Sequence, residues 1–471
     1  MDIILLIVYE SVKIGAMLHV LMDNRQPAKT MAWMLVIYFV PVVGLLFYFF
    51  FGRNTRREKM ISQRSLNQLT KRSMLGFVEQ HNLHIPDEHR LAVDLFVNQN
   101  FCLPFKDNRV SIFTDGHSFF SDLLRAVGSA RHSIHLDFYI FEDDPLGNLL
   151  ADVLIDKARQ GVEVKVIYDD VGCWRVKRCF FEKMRKEGIE AWPFMPVRFR
   201  SFTSKVNYRN HRKIAVVDGC VGYIGGMNVA LRYVRGKEGR PWRDTMVKIE
   251  GTGVYGLQRA FLVDWYFVDR TLISNRLYYP PMSGGIVNDC VVQVVTGAPV
   301  SPFPEIMQGL LGIILRARKY IFIETPYFMP NEPVLTALKT AAVAGVDVRL
   351  MVPASTDARF VQWAQQSYLA EVESMGVKVL MYEGAFLHSK IWVVDDSLSS
   401  CGSTNVDFRS FENNFEANAF FYDRAVALQF KQVFLDDERN CVPFSSLANK
   451  RRRRFLIRLW ESVTRLLSPL L

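Results

Sequence analysis

One pattern of chemically active side chains occurs twice in this chain, at the spacing His-x-Lys-x-x-x-x-Asp. The candidate catalytic residues that it marks are His211, Lys213 and Asp218 in one copy, and His388, Lys390 and Asp395 in the other. A glycine follows each histidine by fourteen residues, and an asparagine, Asn228 or Asn405, follows it by seventeen. Two histidines at one site can divide a displacement reaction, because one attacks while the other protonates the leaving group.

The residue types in this pattern suit the transfer of a phosphoryl group. Each lysine lies two residues after its histidine, so both side chains point to the same side of an extended chain. The ammonium groups of Lys213 and Lys390 and the amides of Asn228 and Asn405 would bind the phosphate and stabilise its anionic transition state. Because no cluster of histidine, cysteine and aspartate has the spacing of metal ligands, we expect neither a metal nor another cofactor.

Two carboxylates are candidates for supporting the histidines. A reacting imidazole needs a carboxylate on its other nitrogen to fix its tautomer. Asp244 lies 33 residues after His211, Glu416 lies 28 residues after His388, and each precedes a strand-like run. We expect these two side chains to orient the imidazoles, although spacing alone leaves a solvated loop carboxylate open as the alternative.

The doubled motif with Gly-x-x-Asn resembles the phospholipase D superfamily over roughly residues 108–423. The resemblance implies an α/β fold in which two αβα domains pack with their motifs at a shared interface. It also implies a covalent phosphohistidine intermediate, and a structural role for Asp218 and Asp395. The superfamily contains nucleases, lipases and synthases, so the resemblance leaves the substrate open.

An internal repeat extends beyond the two motifs. The segments 126–166 and 315–350 both read as helix end, strand, helix and strand. Strands that alternate with helices favour βαβ units and a largely parallel sheet. We therefore expect two phospholipase D-like domains with separate cores, at residues 107–290 and 291–445.

The first 52 residues predict a membrane leader, a helical hairpin of one or two membrane helices. Residues 31–51 carry no charge and are long enough to cross about 30 Å of hydrocarbon. Residues 3–22 contain Glu10, Lys13 and His19, which are costly inside a bilayer, so whether this segment spans stays open. The positive-inside rule puts the remainder of the chain in the cytoplasm, because the basic residues that follow are Arg53, Arg56, Arg57 and Lys59. Residues 53–106 read as a connector.

The end of the chain predicts a basic amphipathic tail at residues 446–471. Five consecutive basic residues, 450–454, precede an apolar stripe, which is typical of an interfacial helix on anionic lipid or of a packed terminal helix. The formal net charge of +10 suits an anionic membrane surface and would also suit nucleic acid. The seven cysteines contain no Cys-x-x-Cys pair, as expected for reduced cytosolic thiols.

The leader stretch Pro27…Ala32-Trp33…Pro41…Gly44…Tyr48…Gly52-Arg53 resembles that of bacterial cardiolipin synthases, and so does the basic and apolar end of the chain. The resemblance implies phosphatidyl transfer between two phosphatidylglycerol molecules, which yields cardiolipin and glycerol at the bacterial inner membrane. The expected partners are phosphatidylglycerol and anionic membrane lipids, and no nucleic acid. His211 would attack phosphorus and His388 would act as acid and then base, with exchange of the two roles left open.

Three other functions remain as alternatives to this interpretation. They are a phospholipase D that uses water as acceptor, a membrane-tethered nuclease, and a catalytically dead lipid-binding scaffold, which two complete motifs argue against. Water and lipid alcohol are distinguished by how dry the site becomes, which the sequence does not determine. The sequence also leaves open the second lipid, the acyl-chain preference and the oligomeric state.

Overall fold

The computed structural model describes residues 2–22, 27–48, 52, 87–197, 208–271, 273, 275–282, 290–446, 455–466 and 468. The chain forms two compact units, one of residues 1–60 with 197–208 and the other of residues 61–196 with 209–471. Most of the predicted connector, residues 53–86, and the basic run at 450–454 lie outside the described residues.

The described residues of the first unit form three helices, α1 (Asp2–Met22), α2 (Pro27–Phe39) and α3 (Pro41–Phe47). Val20, Ile37 and Tyr48 form its small core. The predicted uncharged segment 31–51 is not one helix, because α2 ends at Phe39 and Pro41 starts α3. A proline has no N–H to continue a helix and is favoured at a first turn. In the described part of the chain, no helix is both long and apolar enough to cross a membrane.

The second unit contains the strands and the remaining described helices. The strands are β1 (Pro104–Phe105), β2 (Asn108–Phe113), β3 (Ser133–Phe138), β4 (Glu163–Asp169), β5 (Glu190–Phe194), β6 (Arg209–Asn210), β7 (Lys213–Val217), β8 (Val221–Gly225), β9 (Trp242–Arg243), β10 (Met246–Gly251), β11 (Val291–Gly297), β12 (Tyr320–Glu324), β13 (Phe328–Met329), β14 (Asp347–Pro353), β15 (Lys378–Tyr382), β16 (Phe386–Leu387), β17 (Ile391–Val394), β18 (Leu398–Gly402), β19 (Val406–Asp407), β20 (Asn414–Tyr422) and β21 (Cys441–Pro443). The helices are α4 (Asp87–Asn100), α5 (Gly116–Ser129), α6 (Pro145–Arg159), α7 (Arg178–Lys186), α8 (Arg232–Arg235), α9 (Val254–Asp269), α10 (Glu305–Ile314), α11 (Glu332–Val343), α12 (Arg359–Ser374), α13 (Phe408–Glu412), α14 (Arg424–Glu438) and α15 (Phe455–Leu466).

Two large sheets repeat the same topology. The first has the order β2-β10-β8-β7-β3-β4-β5, and the second contains β11-β20-β18-β17-β12-β14-β15, with corresponding strands in corresponding places. The expectation of largely parallel sheets was wrong. In the first sheet only β3, β4 and β5 pair in parallel, and in the second only β12, β14 and β15 do. The other neighbouring strands of these two orders pair antiparallel. The physical reason is that each motif strand turns back in a hairpin, β7–β8 or β17–β18, and hairpin strands are antiparallel.

The sheets and helices form successive layers with separate apolar cores. Side chains alternate along β7, so Ile214 and Val216 enter the core between the sheets, while Ala215 and Val217 enter the core under α5, α6 and α7. The central core also contains α9 and α14. The outer face of the second sheet is covered by α4, α10, α11 and α12. Each sheet therefore has helices on both faces, as expected for an αβα domain.

Two short strand pairs connect the first repeat to the second. Strand β6 of the first repeat pairs with β20 of the second, and β9 of the first pairs with β16 of the second. Strands β6 and β16 end directly before the two motif histidines. The two pairs therefore bring both motifs to one place between the sheets.

Candidate active site

The backbone of each histidine is bound to the opposite repeat. The N–H of His211 donates to the carbonyl of Phe415 at 2.9 Å, and the N–H of His388 donates to the carbonyl of Arg243 at 2.7 Å. The residue after Phe415 is Glu416, and the residue after Arg243 is Asp244. The cross-strand register thus sets each histidine beside the carboxylate of the other half.

Both carboxylates singled out in the sequence contact a histidine, and both pairs cross between the repeats. His211 Nδ1 lies 3.0 Å from one carboxylate oxygen of Glu416 and 3.1 Å from the other. His388 Nδ1 lies 2.6 Å from Asp244 Oδ2. An Nδ1–H donated to a carboxylate leaves Nε2 unprotonated in a neutral imidazole, so Nε2 is the atom able to attack or to accept a proton.

The environment of Glu416 keeps it ionised. Burial raises the pKa of Glu416, but His211 and Lys213 outweigh this effect and hold the pKa below its ordinary value. Ser403 donates a hydroxyl hydrogen bond to the carboxylate, and Asn414 Nδ2 donates to it at 3.1 Å. A charged, doubly supported carboxylate is suited to stabilise the imidazolium that forms during acid–base catalysis.

Two buried arginines hold the backbone of the two carboxylate residues. Arg212 Nε donates to the carbonyl of Glu416 at 3.0 Å, and the same guanidinium pairs with Asp264 on α9. Arg243 Nη1 donates to the carbonyl of Asp244 at 2.8 Å, and this guanidinium pairs with an aspartate on α14. Neither arginine was predicted from the sequence as a functional residue, because neither belongs to a recognisable sequence pattern.

Burial lowers the proton affinity of the four basic motif residues. It lowers the pKa of His211 to about 4 and that of His388 to about 3, with the adjacent lysines adding to the effect. It also lowers the pKa of Lys213 to about 7 and that of Lys390 to about 8. Both imidazoles are therefore neutral at neutral pH, which is the form required of a nucleophile.

The lysines lie behind the histidines rather than in the open cavity. Both are buried, and each Nζ donates to the carbonyl of its own motif histidine. Lys390 Nζ is also 3.0 Å from His388 Nδ1, but the proton on that nitrogen is directed to Asp244, so this contact is electrostatic. The lysines that we expected to bind phosphate directly are thus placed to supply charge from beneath the site.

A cavity of about 470 Å³ opens at the histidines. His211, His388, Asn228 and Asn405 all line it. Asn228 is engaged by the protein, since its Oδ1 accepts from the N–H of Ile140 at 3.0 Å and its Nδ2 donates to a tyrosine at 2.8 Å. The Oδ1 of Asn405 is buried and has no hydrogen-bond partner among the described residues.

Aromatic rings flank both histidines at the cavity wall. The Tyr139 ring lies 5.2 Å from that of His211, and the Trp242 ring lies 5.6 Å from that of His388. The sequence did not decide whether Tyr139 and Tyr327 are core residues or line the site. In the structure, both line the cavity. Trp242 was not singled out, because one aromatic residue in a polar stretch has no periodicity to mark it.

The final aspartates of the two motifs are placed away from the cavity. The carboxylate of Asp218 accepts hydrogen bonds from the backbone N–H groups of residues 131–133, at 2.7–2.9 Å. That of Asp395 accepts from residues 318–320, at 2.7–2.8 Å. Both have φ of +52°, as the hairpin turn requires. Each aspartate therefore joins its motif hairpin to the start of the neighbouring strand, which is a structural position.

The described residues contain no group of three or more histidine, cysteine, aspartate or glutamate side chains arranged to hold a metal ion. The cavity at the histidines is lined by imidazoles, amides and aromatic rings, and also by the basic side chains of Arg209, Arg232, Lys237 and Arg409 and the carboxylates of Asp357 and Asp407. Such a site can carry out a displacement at phosphorus in which one imidazole forms a bond and the other transfers a proton.

The sequence model of the family described as "Cardiolipin synthase, PLD-like domain" matches residues 123–265 and 310–437. A second, described as "Phospholipase_D-nuclease N-terminal", matches residues 13–53. The cardiolipin synthase of Oceanobacillus iheyensis is 37% identical over 96% of this chain and 95% of its own length. The major cardiolipin synthase ClsA of Bacillus subtilis is 35% identical over 97% of this chain and 96% of its own.

A solved structure shares the fold at low sequence identity. The phosphatidylserine synthase of Haemophilus influenzae superposes with a TM-score of 0.61 at 15% identity, over 81% of this chain and all of that one. This similarity supports the fold of the catalytic unit and carries no further argument about its substrate.

Proposed function

The chain belongs to the cardiolipin synthases with phospholipase D-like domains, which are phosphatidyltransferases, and we propose that it transfers the phosphatidyl group between two phosphatidylglycerol molecules. The products are cardiolipin and glycerol. The observation that carries the proposal is the crossed arrangement of His211 with Glu416 and of His388 with Asp244 at one cavity.

In the first proposed step, the unprotonated Nε2 of His211 attacks the phosphorus of the first lipid. A nitrogen–phosphorus bond forms, the bond from phosphorus to the glycerol oxygen breaks, and His388 gives its proton to that oxygen. The phosphate brings a negative charge beside two buried imidazoles, which favours the protonated acid that this step requires. The choice of His211 as nucleophile is by analogy with the family, and the two roles are open to exchange.

In the second step, His388 accepts the proton of a headgroup hydroxyl on the second lipid. The hydroxyl oxygen attacks phosphorus, the nitrogen–phosphorus bond breaks, and its electron pair returns to His211. Glu416 and Asp244 hold the two imidazoles in the required tautomers. Asn228 and Asn405 bind phosphate oxygens after reorienting, while Lys213 and Lys390 stabilise the developing charge from behind.

We propose further that the enzyme works at the bacterial inner membrane, with its catalytic domains on the cytoplasmic side. Residues 1–52 then serve as the membrane leader, a helical hairpin. Residues 53–106 serve as the connector, of which the end, α4 and β1, packs on and pairs with the second repeat. Residues 107–290 and 291–445 form the two catalytic domains, and residues 446–471 the tail. Support comes from the family match over residues 13–53 and from the basic residues that follow that segment.

The test is to give the purified full-length protein labelled phosphatidylglycerol in mixed micelles and to identify all products. Cardiolipin with an equal amount of glycerol is the expected result. Phosphatidic acid as the main product would instead identify a hydrolase that uses water, and cleavage of single-stranded DNA would identify a nuclease. A variant with both His211→Ala and His388→Ala is the control for contaminating activity.

A further inference from the structure

The last described helix, α15, packs on α12 through polar side chains. Arg465 Nη2 lies 2.6 Å from Glu371 Oε2, and its guanidinium lies 4.2 Å from the centre of the Tyr368 ring. The preceding residue, Thr464, is buried. The helix is therefore fixed to the catalytic unit by an ion pair and a cation–π contact.

The apolar side chains in the second half of α15, residues 459–466, are exposed. Leu459, Val463 and Leu466 are spaced i, i+4 and i+7, so they share one stripe of the helix. All three are exposed, with Leu466 at 79%, and the neighbouring Trp460 is 57% exposed. An amphipathic helix on a soluble protein normally buries such a stripe against the core. In α15, the stripe formed by Leu459, Val463 and Leu466 is exposed instead.

The exposed apolar surface continues from α15 along α12 to the cavity. The Trp460 ring lies 6.5 Å from that of Trp363, which in turn lies 5.5 Å from that of Phe360. Phe360 is 56% exposed, and the next residue, Val361, lines the cavity that contains the histidines. We call the exposed set the apolar strip: Phe360, Trp363, Leu459, Trp460, Val463 and Leu466.

We propose that the apolar strip is the surface on which the enzyme docks to a bilayer of anionic phospholipid, a proposal that rests on the proposed function. A lipid whose phosphate is at the histidines must place its acyl chains beyond the cavity mouth, and the strip is an apolar surface that continues from that mouth. Tryptophan rings are suited to the boundary between headgroups and acyl chains. The five basic residues 450–454 precede α15 in the chain and complement an anionic surface.

The test compares one enzyme on two forms of the same substrate. Full-length Trp460→Glu/Leu466→Glu and wild type are assayed on long-chain phosphatidylglycerol in vesicles and on short-chain phosphatidylglycerol below its critical micelle concentration. We expect a loss of about tenfold on vesicles, because two exposed apolar side chains that would enter the bilayer are exchanged for charges, and unchanged turnover of monomeric lipid. The matched control is Trp192→Glu, which changes an exposed tryptophan on β5 at the edge of the first sheet.

Quenching of tryptophan fluorescence supplies a second readout, with a variant that keeps the strip apolar. Lipids brominated on their acyl chains should quench more tryptophan fluorescence in wild type than in Trp460→Phe, which keeps the strip apolar and should retain vesicle activity. Equal losses on both substrate forms would show that α15 only stabilises the fold, and a dimer disrupted by the Glu variant would show that the strip is covered by a second copy. Either result overturns the proposal. If wild type forms no cardiolipin on either form of the substrate, the proposed function itself fails.

Discussion

His211 takes its carboxylate from Glu416, which lies 205 positions further along the chain and in the opposite repeat. His388 takes its carboxylate from Asp244 in the same crossed manner. Because each imidazole depends on the other half for its tautomer, the two halves must be docked before either histidine is in its reactive form.

We expect Glu416→Gln to reduce kcat by about a thousandfold or more, because an amide neither enforces the Nδ1–H tautomer nor stabilises an imidazolium. The loss should appear in steady-state phosphatidyl transfer, with the melting temperature recorded to show that the fold persists. Asp244→Asn should behave similarly.

The crossed pairing gives this prediction a sharper form. In a His211→Ala background, Glu416→Gln should cause little additional loss, since the imidazole on which it acts is gone. Asp244→Asn in the same background should still reduce any residual activity that depends on His388. Additive losses for His211 and Glu416 would contradict the pairing.

The value of kcat/KM should fall as pH rises from about 7 to 9. A lysine is charged below its pKa and neutral above it, and the pKa of Lys213 is about 7 and that of Lys390 about 8. Charge that stabilises the phosphate is therefore lost on the alkaline side. The ratio kcat/KM reports the free enzyme, so it is the quantity to measure across pH.

Arginine provides the control for this pH dependence, because a guanidinium stays charged throughout the range. If Lys213→Arg retains activity, its alkaline decline should begin at higher pH than in wild type, because only Lys390, with a pKa of about 8, then loses its charge in this range. A wild-type profile that remains flat to pH 9.5 would exclude the lysines as the charges that matter.

The two histidines should differ in their ability to form a covalent adduct. His211→Ala should form no phosphatidyl adduct, since the attacking nitrogen is missing. His388→Asn should accumulate some, because it slows mainly the proton transfers. Mass spectrometry should find an acid-labile, base-stable phosphate on residue 211. The same adduct on residue 388 would exchange the two roles and leave the mechanism standing.

Turnover should persist in EDTA, because the imidazoles, amides and lysines supply the charge needed at phosphorus. The measurement is initial rate with and without chelator on enzyme passed over a desalting column. Loss of activity that one defined divalent metal restores would count against the assignment of the whole site.

Arg212→Met should destabilise the protein by about 3–5 kcal/mol, because it leaves the buried carboxylate of Asp264 without its partner. Thermal and urea unfolding measure the effect. The double variant Arg212→Met/Asp264→Leu should recover part of the loss. Arg159→Met, at an exposed pair with Glu187, is the surface control and should change little.

The local parts of the site could be predicted from the sequence. The apolar runs after Lys213 and Lys390 form the strands that they predict, and the repeat places them in corresponding sheet positions. Both signals are contained within a few consecutive residues, where side-chain periodicity determines structure. The proximity of all four histidine and carboxylate side chains also agrees with expectation.

The crossing of the pairs could not be predicted, since it depends on strand contacts between distant segments. Strands β6 and β9 are two residues long, too short for a pattern, and their partners lie in the other repeat. The position of Lys213 and Lys390 behind the histidines likewise depends on sheet packing. The break of the helix within residues 31–51, by contrast, could have been predicted, because Pro41 is in the sequence and a proline signals the end of a helix.

The crossed carboxylates also limit how such a protein can arise or be divided. An isolated half of this chain contains a motif histidine and a carboxylate that serve different imidazoles, so it holds no complete catalytic pair. A single-repeat ancestor with this geometry would be active only as a symmetric dimer, with each copy supplying the other's carboxylate. Duplication and fusion then make that exchange intramolecular and independent of concentration, and they allow the two formerly identical pockets to diverge into donor and acceptor sides.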